Sequence, residues 1–196
     1  CTQAERGPGR RLNPLRWGPV RLLLLALVLR LLTILATRSG EIVPDWPIRL
    51  DHDGVGYASY AEHLADGQGY AEATGDRSHR GPGYPLLIAA TFRLGGYGFL
   101  LLRIVQALLG TLACWLLYRF ARDGWGEKEA RWVLLASAAY PPFLFYSPQV
   151  LNSTLYMLLV VSTLVATRWA AEGGGGGWWR GLVPGALLGA SALTAG

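Results

Sequence analysis

Long apolar stretches separated by short charged ones dominate this chain. Val20 to Thr37 reads VRLLLLALVLRLLTILAT, and a helix of about 18 residues rises about 27 Å, close to a hydrocarbon core of about 30 Å. The pattern predicts spans at about 20–37, 99–120, 130–146, 150–170 and 182–196, and therefore an all-α polytopic membrane protein. Tyr140-Pro141-Pro142 interrupts the third run near one end, and Ser147-Pro148 marks a turn. Gly173 to Gly177 is a flexible linker, with Trp178 and Trp179 beside it as interface anchors. No internal repeat is visible.

The connection at 38–98 has a pattern of its own. Tyr57, Tyr60, Ala61 and Leu64 recur at i, i+3, i+4 and i+7, while Glu62, His63 and Asp66 fall elsewhere on the wheel. This predicts a short amphipathic helix, lying in the membrane interface with its tyrosines at headgroup depth and ended by Gly67-Gln68-Gly69. After Arg80-Gly81-Pro82-Gly83-Tyr84-Pro85 comes an apolar run from Leu86 to Leu94. About 10 residues is too short to span and suits an interfacial or re-entrant helix.

Charge gives the spans a direction. Only 16% of residues are charged, against about a quarter in soluble domains. Arg6, Arg10, Arg11, Arg16 and Arg21 surround the start of the first run. Arg119, Arg122, Lys128 and Arg131 flank the connection between the second and third, and Arg168 and Arg180 flank the glycine linker. By the positive-inside rule these regions are cytoplasmic. Residues 1–19 are then a basic cytoplasmic tail, 20–196 a transmembrane domain, and 38–98 an external loop holding eight of the thirteen acidic residues. Arginines at membrane edges are no nucleic-acid footprint. The first apolar stretch is too long for a cleaved signal peptide and no A-x-A-like site follows it, so a retained span is expected. Cys1 suits a fragment lacking its true start, and Cys114 a packing role; two such cysteines make no disulfide or metal framework. Arg30, inside the first run, costs about 2.5–3.5 kcal/mol on insertion scales if it faces lipid. It is expected to face another helix, with an anionic headgroup as the alternative partner.

Chemistry concentrates at Asp51-His52-Asp53-Gly54-Val55-Gly56-Tyr57. A carboxylate held at a membrane surface can act as general base toward an acceptor hydroxyl, and partial burial raises its pKa toward a useful range. Asp53 also stands where a helix N-cap belongs, and the two roles are compatible. Two carboxylates alone make a weak divalent-metal site, so a divalent metal at Asp51 and Asp53 is the less favoured alternative and no other cofactor is expected. His52, His63 and His79 lack metal-ligand spacing and read as surface residues. Asn152-Ser153-Thr154 matches a glycosylation sequon but opens a predicted span, where a match is chance.

The order of these elements resembles the GT-C membrane glycosyltransferases, in the branch of the protein O-mannosyltransferases and aminoarabinose transferases. Their pattern is a first span, Asp-x-x-x-Tyr-x-x-x-Ala-x-x-Leu, Arg-x-Pro-x-Tyr-Pro, and a span beginning Arg-(Leu/Ile)-x-Gln. This chain supplies Asp53, Tyr57, Ala61 and Leu64, then Arg80, Pro82, Tyr84 and Pro85, then Arg103-Ile104-Val105-Gln106. Tyr140-Pro141-Pro142, Tyr146-Ser147 and the closing Leu187–Thr194 also fit.

The resemblance implies a GT-C-like helix bundle whose external loop carries interfacial amphipathic helices. It also implies sugar transfer, with inversion, from a polyprenyl-phosphate donor to a glycan, lipid or protein acceptor outside the cytoplasmic membrane. Asp53 is then the catalytic base, and Asp51, Tyr57, Arg80, Tyr84 and Arg103 bind substrate. Arg80 offers a donor fork for the donor phosphate, or serves as a loop residue bonding carbonyls. Arg103 is a weaker phosphate candidate and otherwise a snorkelling anchor. Ser153 departs from the pattern, standing where the family often has Glu, and Thr194-Ala195-Gly196 replaces a closing Thr-Arg-Pro. The rival expectations are a multi-pass transporter or lipid flippase, and an inactive fragment of a transferase.

Overall fold

The computed structural model describes residues 17–37, 52–70, 80–172 and 178–195, and of His52 and Asp53 the backbone alone. The described residues form helices α1 (Pro19–Ala36), α2 (His52–Ala65), α3 (Gly83–Gly95), α4 (Phe99–Trp125), α5 (Glu127–Ala139), α6 (Pro141–Phe145), α7 (Ser153–Glu172) and α8 (Trp179–Ala195). No strand occurs among them.

Three helices, α1, α4 and α7, are long and apolar enough to cross a membrane. In α1 the buried residues are Leu22, Ala26, Arg30 and Ile34, a single i, i+4 stripe, while Leu24, Val28, Leu32 and Leu35 face outward. An outer face of leucines around a core holding an arginine would be a large exposed apolar patch in water; in a bilayer it is the lipid contact. The third predicted span is divided. Pro141 has no N–H to continue α5, so the chain turns at Tyr140 and restarts as the five-residue α6. The fifth run forms α8, with Pro184 inside it.

Contacts fix the order of the helix ends. Leu22 clusters with Cys114, Tyr118 and Ala121, while Arg30 lies against Gly110, so α1 and α4 are antiparallel. Gly126, at φ 102°, reverses α4 into α5, a left-handed conformation that glycine alone adopts at little cost. The bundle therefore has two unlike ends. One gathers the start of α1, the α4–α5 turn, the end of α7 and the start of α8: here Arg168 Nη2 donates to the Asp123 carbonyl at 2.6 Å and Trp169 meets Trp179. The other gathers the starts of α4 and α7 and the end of α8, where Asn152 Nδ2 donates to the Thr194 carbonyl at 2.7 Å.

Helices α2 and α3 form a hairpin on this second end. Tyr57 and Ala61 of α2, Tyr84, Ile88, Ala89 and Phe92 of α3, Leu102 of α4 and Val150 share one buried cluster. The amphipathic face read from the sequence is real, but α3 covers it: Tyr57, Tyr60 and Ala61 are buried in protein rather than presented to headgroups. Two contacts at the far end clamp the hairpin. Arg93 of α3 donates to the Leu64 and Ala65 carbonyls at the end of α2, and the Tyr97 hydroxyl donates to Asp66. At 13 residues, α3 is about 20 Å long and too short to span.

Candidate functional site

Asp53 lies in the first turn of α2, which opens at His52, two residues earlier than an N-cap role for Asp53 requires. A carboxylate in a first turn is favoured by the partial positive charge of the helix N-terminus. Asp51 lies outside the described residues.

One turn along from Asp53, α2 comes against Arg80. The Arg80 guanidinium lies over the Tyr57 ring, 4.7 Å from its centroid. Gly56 makes the approach possible, because a Cβ there would stand 2.6 Å from Arg80 Nε. The peptide of Arg80 is fixed as well, its carbonyl accepting a short hydrogen bond from the Tyr70 hydroxyl while Tyr70 stacks on Tyr60 at 4.6 Å. Burial, reinforced by Tyr60 and Tyr57, raises the pKa of Tyr70, so this donor keeps its proton.

Behind Tyr57 stands Tyr84, edge-on at 5.0 Å and fully buried. Its pKa is raised well above the ordinary phenol value, chiefly by burial and then by Tyr57. The Tyr84 hydroxyl accepts from Gln106 Nε2 at 3.2 Å, and the same amide lies 3.1 Å from the Gln149 carbonyl and 3.3 Å from that of Leu151. Gln106 thus ties the tyrosine pair to α4 and to the segment entering α7. Arg103, one turn earlier, is buried too: its Nε donates to the Pro148 carbonyl at 2.8 Å and its guanidinium faces Phe99 at 5.9 Å. It clasps the 147–151 segment and does not snorkel at the surface.

Of the residues singled out in the sequence, Tyr57, Arg80 and Tyr84 come together, and Arg103 sits behind them. Gly56, Tyr70 and Gln106 complete the cluster. Gln106 was visible only as part of the Arg-x-x-Gln resemblance, and no local pattern marks the other two. Among the described residues, no three His, Cys, Asp or Glu gather to hold a metal ion; Asp51 lies outside that description.

A second feature lies deeper in the bundle. A cavity of about 550 Å³ is bounded by α1, α4, the Tyr140–Tyr146 segment and the start of α7, with Arg30, Gly110, Asn152 and Ser153 in its wall. Asn152, read from the sequence as a chance sequon, spends one amide hydrogen on Thr194.

The sequence pattern of the dolichyl-phosphate-mannose-protein mannosyltransferases matches residues 79–195. The chain belongs to this family. Membership points to glycosyl transfer from a lipid-linked donor, and with helices α1, α4 and α7 it makes the chain a membrane protein. Comparison with curated proteins and with solved structures finds no match. Within the mannosyltransferase match fall Arg80, Tyr84, Arg103 and Gln106, while α1 and α2, with Asp53 and Tyr57, precede it.

Proposed function

We propose that this chain is part of an inverting glycosyltransferase that takes a sugar from a polyprenyl-phosphate carrier and passes it to an acceptor hydroxyl at the outer face of the cytoplasmic membrane. The observation that carries this reading is the Arg80 guanidinium on Tyr57, one helical turn from Asp53. A carboxylate and a fixed cation at that spacing suit the two ends of a displacement. Asp53 takes the proton of the acceptor hydroxyl, and the acceptor oxygen attacks the anomeric carbon from the face opposite the phosphate. The bond to the phosphate oxygen breaks, and the phosphate leaves with the electron pair toward Arg80. Asp51 is assigned a substrate-binding role. Tyr57 and Tyr84 hold Arg80 in place, and Arg103 positions the adjoining segment. Arg80 supplies the positive charge at the leaving group, so no metal is assigned to the step.

Orientation follows from charge. Arg119, Arg122, Lys128, Arg131, Arg168 and Arg180 belong to the end of the bundle opposite the α2–α3 hairpin. With that end cytoplasmic, the N-terminus is inside and the hairpin outside, where glycan, lipid and protein acceptors are met.

The test is Asp53→Asn in the full-length enzyme, with release of polyprenyl phosphate from a lipid-linked sugar as the readout. Loss of a general base costs roughly 10²–10⁴ in rate, so turnover should fall at least about 100-fold while the thermal midpoint holds. Turnover within about threefold of wild type would refute the assignment. The cavity beside Arg30 favours a transporter or flippase instead, since such proteins place charged sites between helices near the bilayer midplane. Solute or lipid movement across vesicles without sugar transfer would support that reading.

A further inference from the structure

Arg30 is fully buried within α1, six residues from its end, or about 9 Å at an α-helical rise. Its side chain turns back along the helix. Nη1 donates to the Ala26 carbonyl at 2.9 Å, Nη2 donates to Cys114 Sγ at 3.2 Å, and Nε has no partner. A guanidinium carries five N–H donors and a full positive charge; here it meets one carbonyl and one thiol, both neutral. Among the described residues no carboxylate pairs with it. Helix α4 is shaped to receive it, since a Cβ on Gly110 would stand 2.8 Å from Arg30 Nε. An isolated buried charge is strongly unfavourable unless an anion compensates it.

The cavity lies against this charge. Arg30 and Gly110 contribute to its wall together with Tyr140, Tyr146, Asn152 and Ser153. Both tyrosines are exposed, so the cavity opens outward between helices whose outer faces are apolar and aromatic. At about 550 Å³ it has room for a phosphate and the atoms attached to it. We propose that this cavity binds the phosphate group of a net-anionic membrane lipid, with Arg30 as its counter-charge. A bilayer supplies phosphate at such an opening, and Tyr146, Asn152 and Ser153 add hydrogen-bond donors around it. The site stands apart from the transfer cluster, because Tyr57, Arg80 and Tyr84 do not line it.

The experiment uses the full-length protein in phosphatidylcholine nanodiscs doped either with phosphatidylglycerol or with a polyprenyl phosphate, and measures retained lipid by native mass spectrometry. Wild type should retain doped lipid at least about tenfold more tightly than Arg30→Gln. Arg30→Gln also removes the hydrogen bonds to Ala26 and Cys114, the second of which helps hold α1 on α4, so Ser153→Glu is the second arm. It keeps Arg30 and adds a carboxylate to the cavity wall, which should pair with the arginine, displace the lipid and leave the thermal midpoint unchanged or higher. Retention of both lipids assigns a general phosphate-lipid site, and retention of the polyprenyl phosphate alone assigns the carrier. Equal retention by wild type and both variants, or none by wild type, overturns the proposal. Asp53→Asn should retain lipid normally, which separates this result from failure of the transferase reading.

Discussion

Both ends of the bundle are built from arginines and aromatic rings, yet they use them differently. At the α4–α5 end most of the rings lie outward and the ion pairs are local, although Arg168 also reaches across to the Asp123 carbonyl. Arg119 covers Trp115, Arg180 covers Trp169 and Trp179, and Arg131 and Arg168 pair with Glu127 and Glu172 four residues away. Trp178 is 82% exposed. Exposed pairs of this kind contribute about 0–1 kcal/mol each, which suits anchoring at a membrane surface. At the hairpin end Tyr57, Tyr60 and Tyr84 are buried. The polar groups there reach across long stretches of chain: Arg103 to Pro148, Gln106 to Gln149, Asn152 to Thr194. A buried partner lost from such a network costs about 1–3 kcal/mol. The first end is tolerant and the second is fixed, as expected if one holds the protein in place and the other holds a reacting group in place.

Substitutions can break that contrast. After Asp53→Asn, the largest effect is expected from Arg80→Ala, which should lower turnover roughly 100-fold if the guanidinium steadies the departing phosphate. Arg80→Lys keeps the charge without the planar fork and should recover only part of the loss. An equal rate for Arg80→Ala and wild type, in a steady-state assay of carrier release, would leave the hairpin end no more specialised than the other.

Gly56→Ala is the finer probe. The new methyl would displace the guanidinium from Tyr57. A cation–π contact is worth about 0.5–2 kcal/mol, so turnover should drop about 2- to 30-fold with the thermal midpoint nearly unchanged.

The smallest effect belongs to the opposite end. The Glu127 carboxyl accepts from Tyr118 and Arg131, in that order of influence, and its pKa is held below the ordinary carboxylate value. Its stabilisation is therefore present above the unfolded-state pKa and fades as pH falls through the lower folded one. The side chain is 44% exposed, so solvent screens much of the gain. Glu127→Gln should slightly lower the thermal midpoint at neutral pH and flatten its decline below about pH 4.5; an unchanged acid slope would show that the pair contributes nothing.

The tolerant end was largely legible in the sequence, and the fixed end only in part. Spans α1, α4 and α7 follow from long, predominantly apolar runs, and the break at Tyr140 from two prolines. Helix α2 follows from the spacing of Tyr57, Tyr60, Ala61 and Leu64. All are local signals. What covers the α2 face is not local: Tyr84 lies 27 positions beyond Tyr57, and its edge-on contact depends on how α3 seats on α4. Gln106 could not be read as the hub for Gln149 and Leu151, because a buried glutamine shows its partners only when the helices are assembled. Arg30 was readable as a residue that should avoid lipid, but not as one left with only neutral partners.

The start of α3 bears on how the protein is made. A Cβ on Gly83 would stand 2.5 Å from Thr194 Oγ1, so α3 is seated against a residue about 110 positions further along the chain. At synthesis rates of about 5–20 residues per second, Thr194 emerges on the order of ten seconds after Gly83. Until then the hairpin lacks its α8 contact. Maturation of the site therefore awaits the insertion of α8, and a ribosome pausing between the two would expose an unfinished hairpin to the quality-control machinery of the membrane.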